Sequence, residues 1–237
     1  MGNSYFSFKK FTVFQDRCAM KVGVDGVMLG AWASVENTNN ILDVGTGTGL
    51  IALMLAQRCS ATITGIEIDK NAVDQAIENV FQSPWKDRIK IMNQPFQDFA
   101  DSTTSKFDLI VSNPPYFVNA IKAPDFARNS ARHTDLLSHE DLIDNASKLL
   151  KPIGRICLIL PTIEAEKCKQ YALKNGLSCA NETFVYPKPE TKPKRVLLEF
   201  SNSQTLKTIQ YLTIENNERH IYSNEFRTLV KDFYLNL

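Results

Sequence analysis

The stretch "ILDVGTGTGLIAL", Ile41 to Leu53, decides the fold of this 237-residue chain. A short apolar run ends in Gly45, Gly47 and Gly49, and an apolar helical pattern follows at once. Glycines at such a turn let the backbone approach a ligand closely, and the amino terminus of a helix lies just beyond them. The stretch therefore predicts a strand, a ligand-binding turn and a helix, with a tight turn that binds nothing as the plainer alternative.

The same rhythm of short apolar runs and helical stretches continues on the carboxyl side of this turn. Strands that are apolar throughout and separated by helices indicate a parallel sheet covered on both faces. We therefore predict a Rossmann-like α/β fold with a mostly parallel central sheet. The predicted strands are 41–44, 62–68, 89–92, 107–111 and 155–160, and the predicted helices are 49–58, 71–81 and 140–150.

Smaller elements are predicted at both ends of the chain. The aromatic-rich segment 5–20 suggests a hairpin, followed by a loop to Gly26 and a helix toward Trp32. We predict an extension over residues 1–40, a catalytic domain over 41–202, and a hairpin and helix over 203–237 packed on the same domain. In the last third we expect a helix over 164–175, strands over 182–186 and 195–200, a hairpin around 208–214 and a helix over 223–234.

Composition limits the function classes. The formal charge is +1, from 27 Lys and Arg against 26 Asp and Glu, so a nucleic acid would need a local basic patch. Five scattered cysteines without a C-x-x-C pair argue against disulfides or a zinc site, and we expect reduced thiols, no metal and a cytoplasmic location. The longest apolar run, residues 50–56, is too short for a membrane span.

Glu67 closes the next strand, about 20 residues after the glycines, where a Rossmann-like unit places a carboxylate on ribose hydroxyls. A solvated acid at a strand end is the alternative. The G-x-G-x-G spacing resembles the first motif of the class I S-adenosylmethionine-dependent methyltransferases rather than a nicotinamide turn. That resemblance implies that Asp43 lies near the methionine amino group of the cofactor. Where this class often has an acid at the adenine, Pro95 stands here, so we expect Phe96 to pack on the ring or offer its N–H, with Asp98 as the weaker candidate.

"NPPY", Asn113 to Tyr116, follows the fourth core strand. The Asn113 side-chain oxygen and the Pro114 carbonyl can accept two hydrogen bonds from one amino group, and Tyr116 can stack on the plane that carries it. Such a site positions an amine or amide for methyl transfer without a strong base. The motif resembles the fourth motif of amino methyltransferases that act on adenine N6, guanine N2 or glutamine amides.

Flanking segments narrow the resemblance. "FQDRCAMKVGVDGVMLGAWA" and "ARHTDLLSHEDLIDNASKLL" resemble the bacterial tRNA adenine-N6 methyltransferases that modify valine tRNA at the adenine 3′ of the anticodon, over about residues 8–161. The resemblance implies a valine tRNA anticodon loop as partner, and that "KVGVDGVML" lies over the cofactor pocket, where Lys21, Gly23 and Asp25 help to close it. Read from the residues alone, Asp25 is equally well a helix cap.

Contacts to RNA are expected from residues near the predicted site. The loop after the catalytic turn either meets the RNA or is simply solvated, with Ser138 capping the next helix through Asp141. Lys188 belongs to the basic segment after 182–186, and Lys9 and Lys10 come from the N-terminal hairpin. We expect a monomer or weak dimer. The residues expected to contact RNA are Arg128, Arg132, His133, Lys192, Lys194 and Arg195.

Four alternatives stay open from sequence. A methyltransferase for guanine N2 in ribosomal RNA has a similarly built site. A glutamine-amide methyltransferase usually has a helical N-terminal domain, for which the 40 residues before Ile41 are a poor match. A nicotinamide oxidoreductase is disfavoured by the glycine spacing, and a noncatalytic RNA-binding module gives the "NPPY" turn no purpose.

Overall fold

The structure, a computed structural model, describes residues 3–115, 137–203, 206–218 and 221–236. Its centre is an eight-stranded sheet with the order β10-β8-β9-β7-β6-β3-β4-β5, and β1 and β2 form a separate antiparallel hairpin. The strands are β1 Tyr5–Ser7, β2 Thr12–Phe14, β3 Asn40–Val44, β4 Thr62–Glu67, β5 Ile89–Asn93, β6 Phe107–Ser112, β7 Leu150–Leu160, β8 Ser178–Tyr186, β9 Arg195–Ser201 and β10 Thr208–Thr213.

Helices cover both faces of this sheet. A 3-10 turn, Lys86–Arg88, precedes β5. The helices are α1 Val24–Trp32, α2 Leu50–Arg58, α3 Lys70–Phe81, α4 Phe96–Ser102, α5 His139–Leu149, α6 Thr162–Lys174 and α7 Asn224–Val230. No described helix is both long and apolar enough to cross a lipid bilayer.

Two apolar cores lie on opposite faces of the sheet. Residues of the hairpin, α1, α2 and α7 form one core with Ile41 of β3, and residues of α4, α5 and α6 form the other with Leu42. Successive strand residues point to opposite faces, so strands covered on both sides must be apolar at nearly every position. The predicted fold class, a mostly parallel sheet between two helical layers with an N-terminal hairpin, is confirmed.

Strand direction sets the position of the candidate site. Strands β3 to β7 run parallel, whereas β9 is antiparallel to both β7 and β8. Consequently β8 and β10 again run in the direction of β3, because β10 is parallel to β8. The carboxyl ends of seven strands meet at one edge of the sheet, which we call the carboxyl edge.

Several predicted boundaries differ from the structure. The predicted hairpin at 208–214 is wrong, because this segment is the single strand β10, whose partner β8 is remote in the chain. Helix α4 was not predicted, and its short apolar face explains why. Strand β7 begins at Leu150 rather than Arg155, and the terminal helix spans Asn224–Val230 rather than 223–234.

Candidate active site

The predicted site residues follow neighbouring strands at the carboxyl edge. Val44 of β3 pairs with Ser112 of β6 on one side and with Ile66 of β4 on the other. Asn113, Gly45 and Glu67 each come directly after one of these three residues. Because strands lie about 4.8 Å apart, these residues, remote in sequence, lie side by side at the carboxyl edge. Open α/β sheets bind ligands in a crevice at this edge, and we call the region the crevice.

The glycine turn exposes its backbone to open space. Gly45, Gly47 and Gly49 have φ values of +71°, +56° and +81°, a region that residues with a Cβ rarely adopt. A Cβ placed on Gly45 or Gly47 would meet no atom within 4 Å. The turn is held by the Ile66 carbonyl, which accepts from the N–H groups of Gly45 and Thr46 at 2.9 and 3.0 Å. A ligand can therefore approach the main chain here.

Glu67 is tied to the glycine turn through its carboxylate. One oxygen accepts from the Gly47 N–H at 3.0 Å, and the other accepts from the N–H groups of Ile68 and Asp69 at 2.9 and 3.0 Å. A carboxylate offers about four lone pairs, so these three bonds leave capacity for a further donor. Glu67 thus shapes the turn and still presents an acceptor to the crevice.

Asp43 is fully buried beneath the glycine turn. Its Oδ2 accepts from the Thr46 hydroxyl at 2.6 Å, and its Oδ1 has no partner of hydrogen-bonding geometry among the described residues, although the nearby Ala52 N–H favours the charged carboxylate. Burial, with a smaller effect of the Glu67 charge, raises the pKa of Asp43 to about 7. A donor with positive charge at Oδ1 would supply the missing partner and stabilise the carboxylate.

Asp43→Asn is expected to gain stability relative to the wild type as pH rises from 4 to 8. The pKa of Asp43 is raised in the folded protein, so protonation favours the fold at low pH and this stability is lost as pH rises through about 7. The free energy of unfolding of both proteins, measured by urea titration across this range, should diverge by up to roughly 4 kcal/mol in favour of the variant. A difference that does not change with pH would contradict the raised pKa.

The "NPPY" turn begins beside the glycine turn. The Ser112 hydroxyl donates to the Val44 carbonyl at 2.7 Å and locks the ends of β6 and β3 together. Asn113 is half-buried, Pro114 is buried and Pro115 is exposed. Tyr116 lies outside the described residues, as do Arg128, Arg132 and His133. The loop before α5 ends as the simpler interpretation predicts: the Ser138 hydroxyl accepts from the Asp141 N–H at 3.0 Å.

The residues predicted at the cofactor adenine follow β5. Pro95 precedes α4, and Phe96 is its first residue. Phe96 is 4% exposed and its ring belongs to the core that α4 to α6 cover, so little of the ring is open to a ligand. Asp98 is exposed in the first turn of α4.

The interpretation of Asp25 as a helix cap is wrong. Helix α1 begins at Val24 after Gly23, so Asp25 lies within its first turn. Its carboxylate accepts from Arg195 Nε at 2.7 Å and thereby links α1 to the start of β9 at the carboxyl edge. Asp25 and Arg195, for which separate ligand contacts were predicted, therefore form one ion pair.

The predicted basic residues divide between the two edges of the sheet. Lys192 and Lys194 are exposed in the segment between β8 and β9, at the carboxyl edge. Lys9 and Lys10 instead line a cavity of about 690 Å³ with Arg58, at the end of α2 and therefore at the opposite edge. Lys21 Nζ donates to the Asn3 carbonyl at 3.3 Å. The position of Lys9 and Lys10 therefore does not support the prediction that they bind RNA beside the candidate site.

Sequence reasoning missed the buried amides of α3. Asn79 donates to the Thr48 carbonyl in the glycine turn at 2.9 Å, and it exchanges two hydrogen bonds with the main chain of Phe14. Gln75 accepts from the Arg17 N–H at 3.1 Å. Both amides lie at positions of α3 that the helical pattern directs toward the core. A polar side chain at such a position was the signal in the sequence for a buried hydrogen bond. They attach the N-terminal hairpin to the turn.

Cys18 shows how close the N-terminal segment comes to the crevice. Burial and the neighbouring carboxylates of Glu67 and Asp69 raise its pKa to about 11. Cys18 is therefore a neutral thiol near pH 7.

Among the residues that the structure describes, no group of three His, Cys, Asp or Glu side chains is placed to hold a metal ion.

Comparison with known proteins identifies the family. The sequence profile of the methyltransferase small domain matches residues 27–176. A protein from Phocaeicola vulgatus named tRNA1(Val) (adenine(37)-N6)-methyltransferase is 52% identical over 237 residues, with 100% of both chains covered. One of the same name from Parabacteroides distasonis is 51% identical, again with 100% of both chains covered. The chain belongs to this methyltransferase family.

A solved structure supports the same fold. A predicted O-methyltransferase from Agrobacterium tumefaciens superimposes with a TM-score of 0.68 at 17% identity, over 88% of this chain and 96% of that one. The family profile begins within α1 and ends just after α6, so it contains the glycine turn, Glu67 and the Asn113 turn. The crevice at the carboxyl edge is thus the candidate active site of a methyltransferase.

Proposed function

We propose that this protein transfers a methyl group from S-adenosylmethionine to N6 of adenine 37 in valine tRNA. The observation that carries the proposal is the juxtaposition of the Asn113 turn with the glycine turn at adjacent strand ends. Full-length identity of about half to relatives named for this reaction supports the choice of acceptor.

The residues of the crevice fit S-adenosylmethionine. Open space over Gly45 and Gly47 accommodates a ligand against the main chain. Asp43 Oδ1 is a buried acceptor that suits the methionine ammonium, and Glu67 has capacity for a ribose hydroxyl. Beyond Glu67, the Phe96 N–H and the exposed Asp98 are the candidates for the adenine. When bound, the cofactor supplies an electrophilic methyl group on sulfur.

Asn113 and Pro114 would orient the amine that accepts the methyl group. The Asn113 side-chain oxygen and the Pro114 carbonyl can each accept a hydrogen bond from one N–H of the adenine N6 amine. The two bonds direct the nitrogen lone pair toward the crevice. As the nitrogen becomes cationic, these oxygens stabilise the developing charge, and the proton can leave afterwards to water. Tyr116 supplies a ring on which the adenine can stack.

The adenine of an anticodon loop must leave its stack to reach such a crevice. Lys192 and Lys194 are exposed cations at the same edge, and Arg195 is fixed beside them by Asp25. With Arg128, Arg132 and His133, they are the proposed phosphate contacts. We further propose that the protein acts in the cytoplasm, as a monomer or weak dimer, without a metal.

The assignment is tested with isotope-labelled S-adenosylmethionine and total tRNA from a strain that lacks this protein. We expect label in N6-methyladenosine, located in valine tRNA by nucleoside mass spectrometry of purified species. As a control, tRNA from the parent strain should accept little label because its site is already methylated. Label in N2-methylguanosine of ribosomal RNA, or in a protein, would reject adenine N6 as the acceptor.

A further inference from the structure

We infer that Tyr211, backed by Phe184 and Tyr186, is a stacking surface for an RNA base outside the catalytic crevice. The inference rests on the proposed function, because it concerns how the tRNA substrate is held. It places a second RNA contact on β10, the edge strand of the sheet that lies farthest from β4 and Glu67.

The three rings form one exposed aromatic group. Tyr211 is 68% exposed on the edge strand β10. Its ring lies 6.1 Å from that of Phe184 at an angle of 21°, and 6.3 Å from that of Tyr186 at 51°. Two partly buried rings thus fix the orientation of a third, whose outer face is open. Aromatic faces of this kind stack on bases of any sequence.

Strand register places Tyr211 level with the catalytic turn. Tyr211 pairs with Phe184, Phe184 with Val196, and Val196 with Leu160 of β7. Leu160 lies two residues beyond Leu158, the partner of Ser112, so this row meets β6 at the height of Pro114. Four strand spacings separate the two, or roughly 19 Å. A tRNA loop whose adenine is in the crevice can reach that far with neighbouring nucleotides.

Charge on the adjoining segment suits RNA. The segment between β8 and β9 begins directly after Tyr186 and carries three cations, Lys188, Lys192 and Lys194, against one acid, Glu190. Lys188 Nζ lies 3.9 Å from a Glu215 carboxylate oxygen. In the described part of the chain, Lys192 and Lys194 have no carboxylate within salt-bridge distance. Cations beside a stacking ring are the combination that binds single-stranded nucleic acid.

Tyr211→Ala tests the inference, with Tyr211→Phe as its conservative partner. We expect the alanine variant to raise the KM for tRNA about tenfold, while kcat and the Kd for S-adenosylmethionine stay unchanged. The phenylalanine variant keeps the ring and should behave like the wild type. Phe81→Ala is the matched control, because Phe81 is 70% exposed but lies at the end of α3, at the opposite edge.

Three outcomes would overturn the inference. The first is a Tyr211→Ala variant with the KM of the wild type. The second is a Phe81→Ala variant whose KM for tRNA rises as much as that of Tyr211→Ala. The third is a change in sedimentation of the free protein on Tyr211→Ala, which would show that the edge strand pairs with a second copy instead. Failure of the proposed function is separate, since the wild-type protein would then form no N6-methyladenosine at any tRNA concentration.

Discussion

Replacing Asn113 with alanine is expected to lower kcat for tRNA methylation by about 100-fold or more, while S-adenosylmethionine still binds within about twofold of its wild-type affinity. The change removes an acceptor that orients the amine and stabilises its developing positive charge. It leaves the glycine turn, Glu67 and the Ser112 bond to Val44 intact. Steady-state methylation at saturating tRNA and calorimetric titration of the cofactor measure the two quantities.

Asn113→Asp is the informative companion. Aspartate keeps an acceptor oxygen at nearly the same position and should retain more activity than alanine does. If both variants lose cofactor affinity as severely as rate, Asn113 supports the pocket rather than the amine. If Asn113→Ala methylates tRNA at the wild-type rate, the catalytic assignment of the "NPPY" turn fails.

Replacing Glu67 with glutamine is expected to weaken S-adenosylmethionine binding about 10- to 100-fold. Both carboxylate oxygens accept backbone N–H groups, one from Gly47 and the other from Ile68 and Asp69. A glutamine of the same shape must turn its NH₂ group toward at least one of these donors. An unmet donor costs about 1–3 kcal/mol, and the turn that faces the cofactor then loosens.

Asp98→Asn compares the second acid proposed to contact the cofactor with the first. Asp98 is also an acid at the carboxyl edge, but it is exposed in the first turn of α4. We expect its replacement to change the cofactor Kd by less than about threefold, because an exposed charge contributes little. A larger effect for Asp98 than for Glu67 would exchange the two roles. Thermal unfolding of both variants separates loss of binding from loss of fold.

Local pattern was sufficient for most of the fold. Strands covered on both faces must be apolar nearly throughout, so β3, β4, β5 and β6 were visible as short runs between helices. The pairing partners of the strands are not predictable from local pattern. Strand β10 was predicted as a hairpin because alternation along a strand does not encode which strand lies beside it. Helix α4, with seven residues, is too short for a clear periodicity.

The positions of the candidate site residues were predictable where they coincide with strand ends. A glycine turn, an acid closing the next strand and an amide after the fourth strand all sit at strand ends, which local pattern reveals. The Asp25–Arg195 pair and the hydrogen bonds of Asn79 to Phe14 and Thr48 join segments remote in sequence. Nothing within either segment indicates such a partner.

By itself, the sequence determined the fold class and placed the candidate site residues at strand ends, and it predicts the amine-binding character of the "NPPY" turn. These follow from periodicity and from residue chemistry over a few neighbouring positions. Only the tertiary structure decided that Glu67 also holds the glycine turn, that burial raises the pKa of Asp43 to about 7, and that Tyr211 stands level with Pro114. Hydrogen-bond partners, desolvation and strand order depend on which remote segments pack together, and no local pattern specifies that.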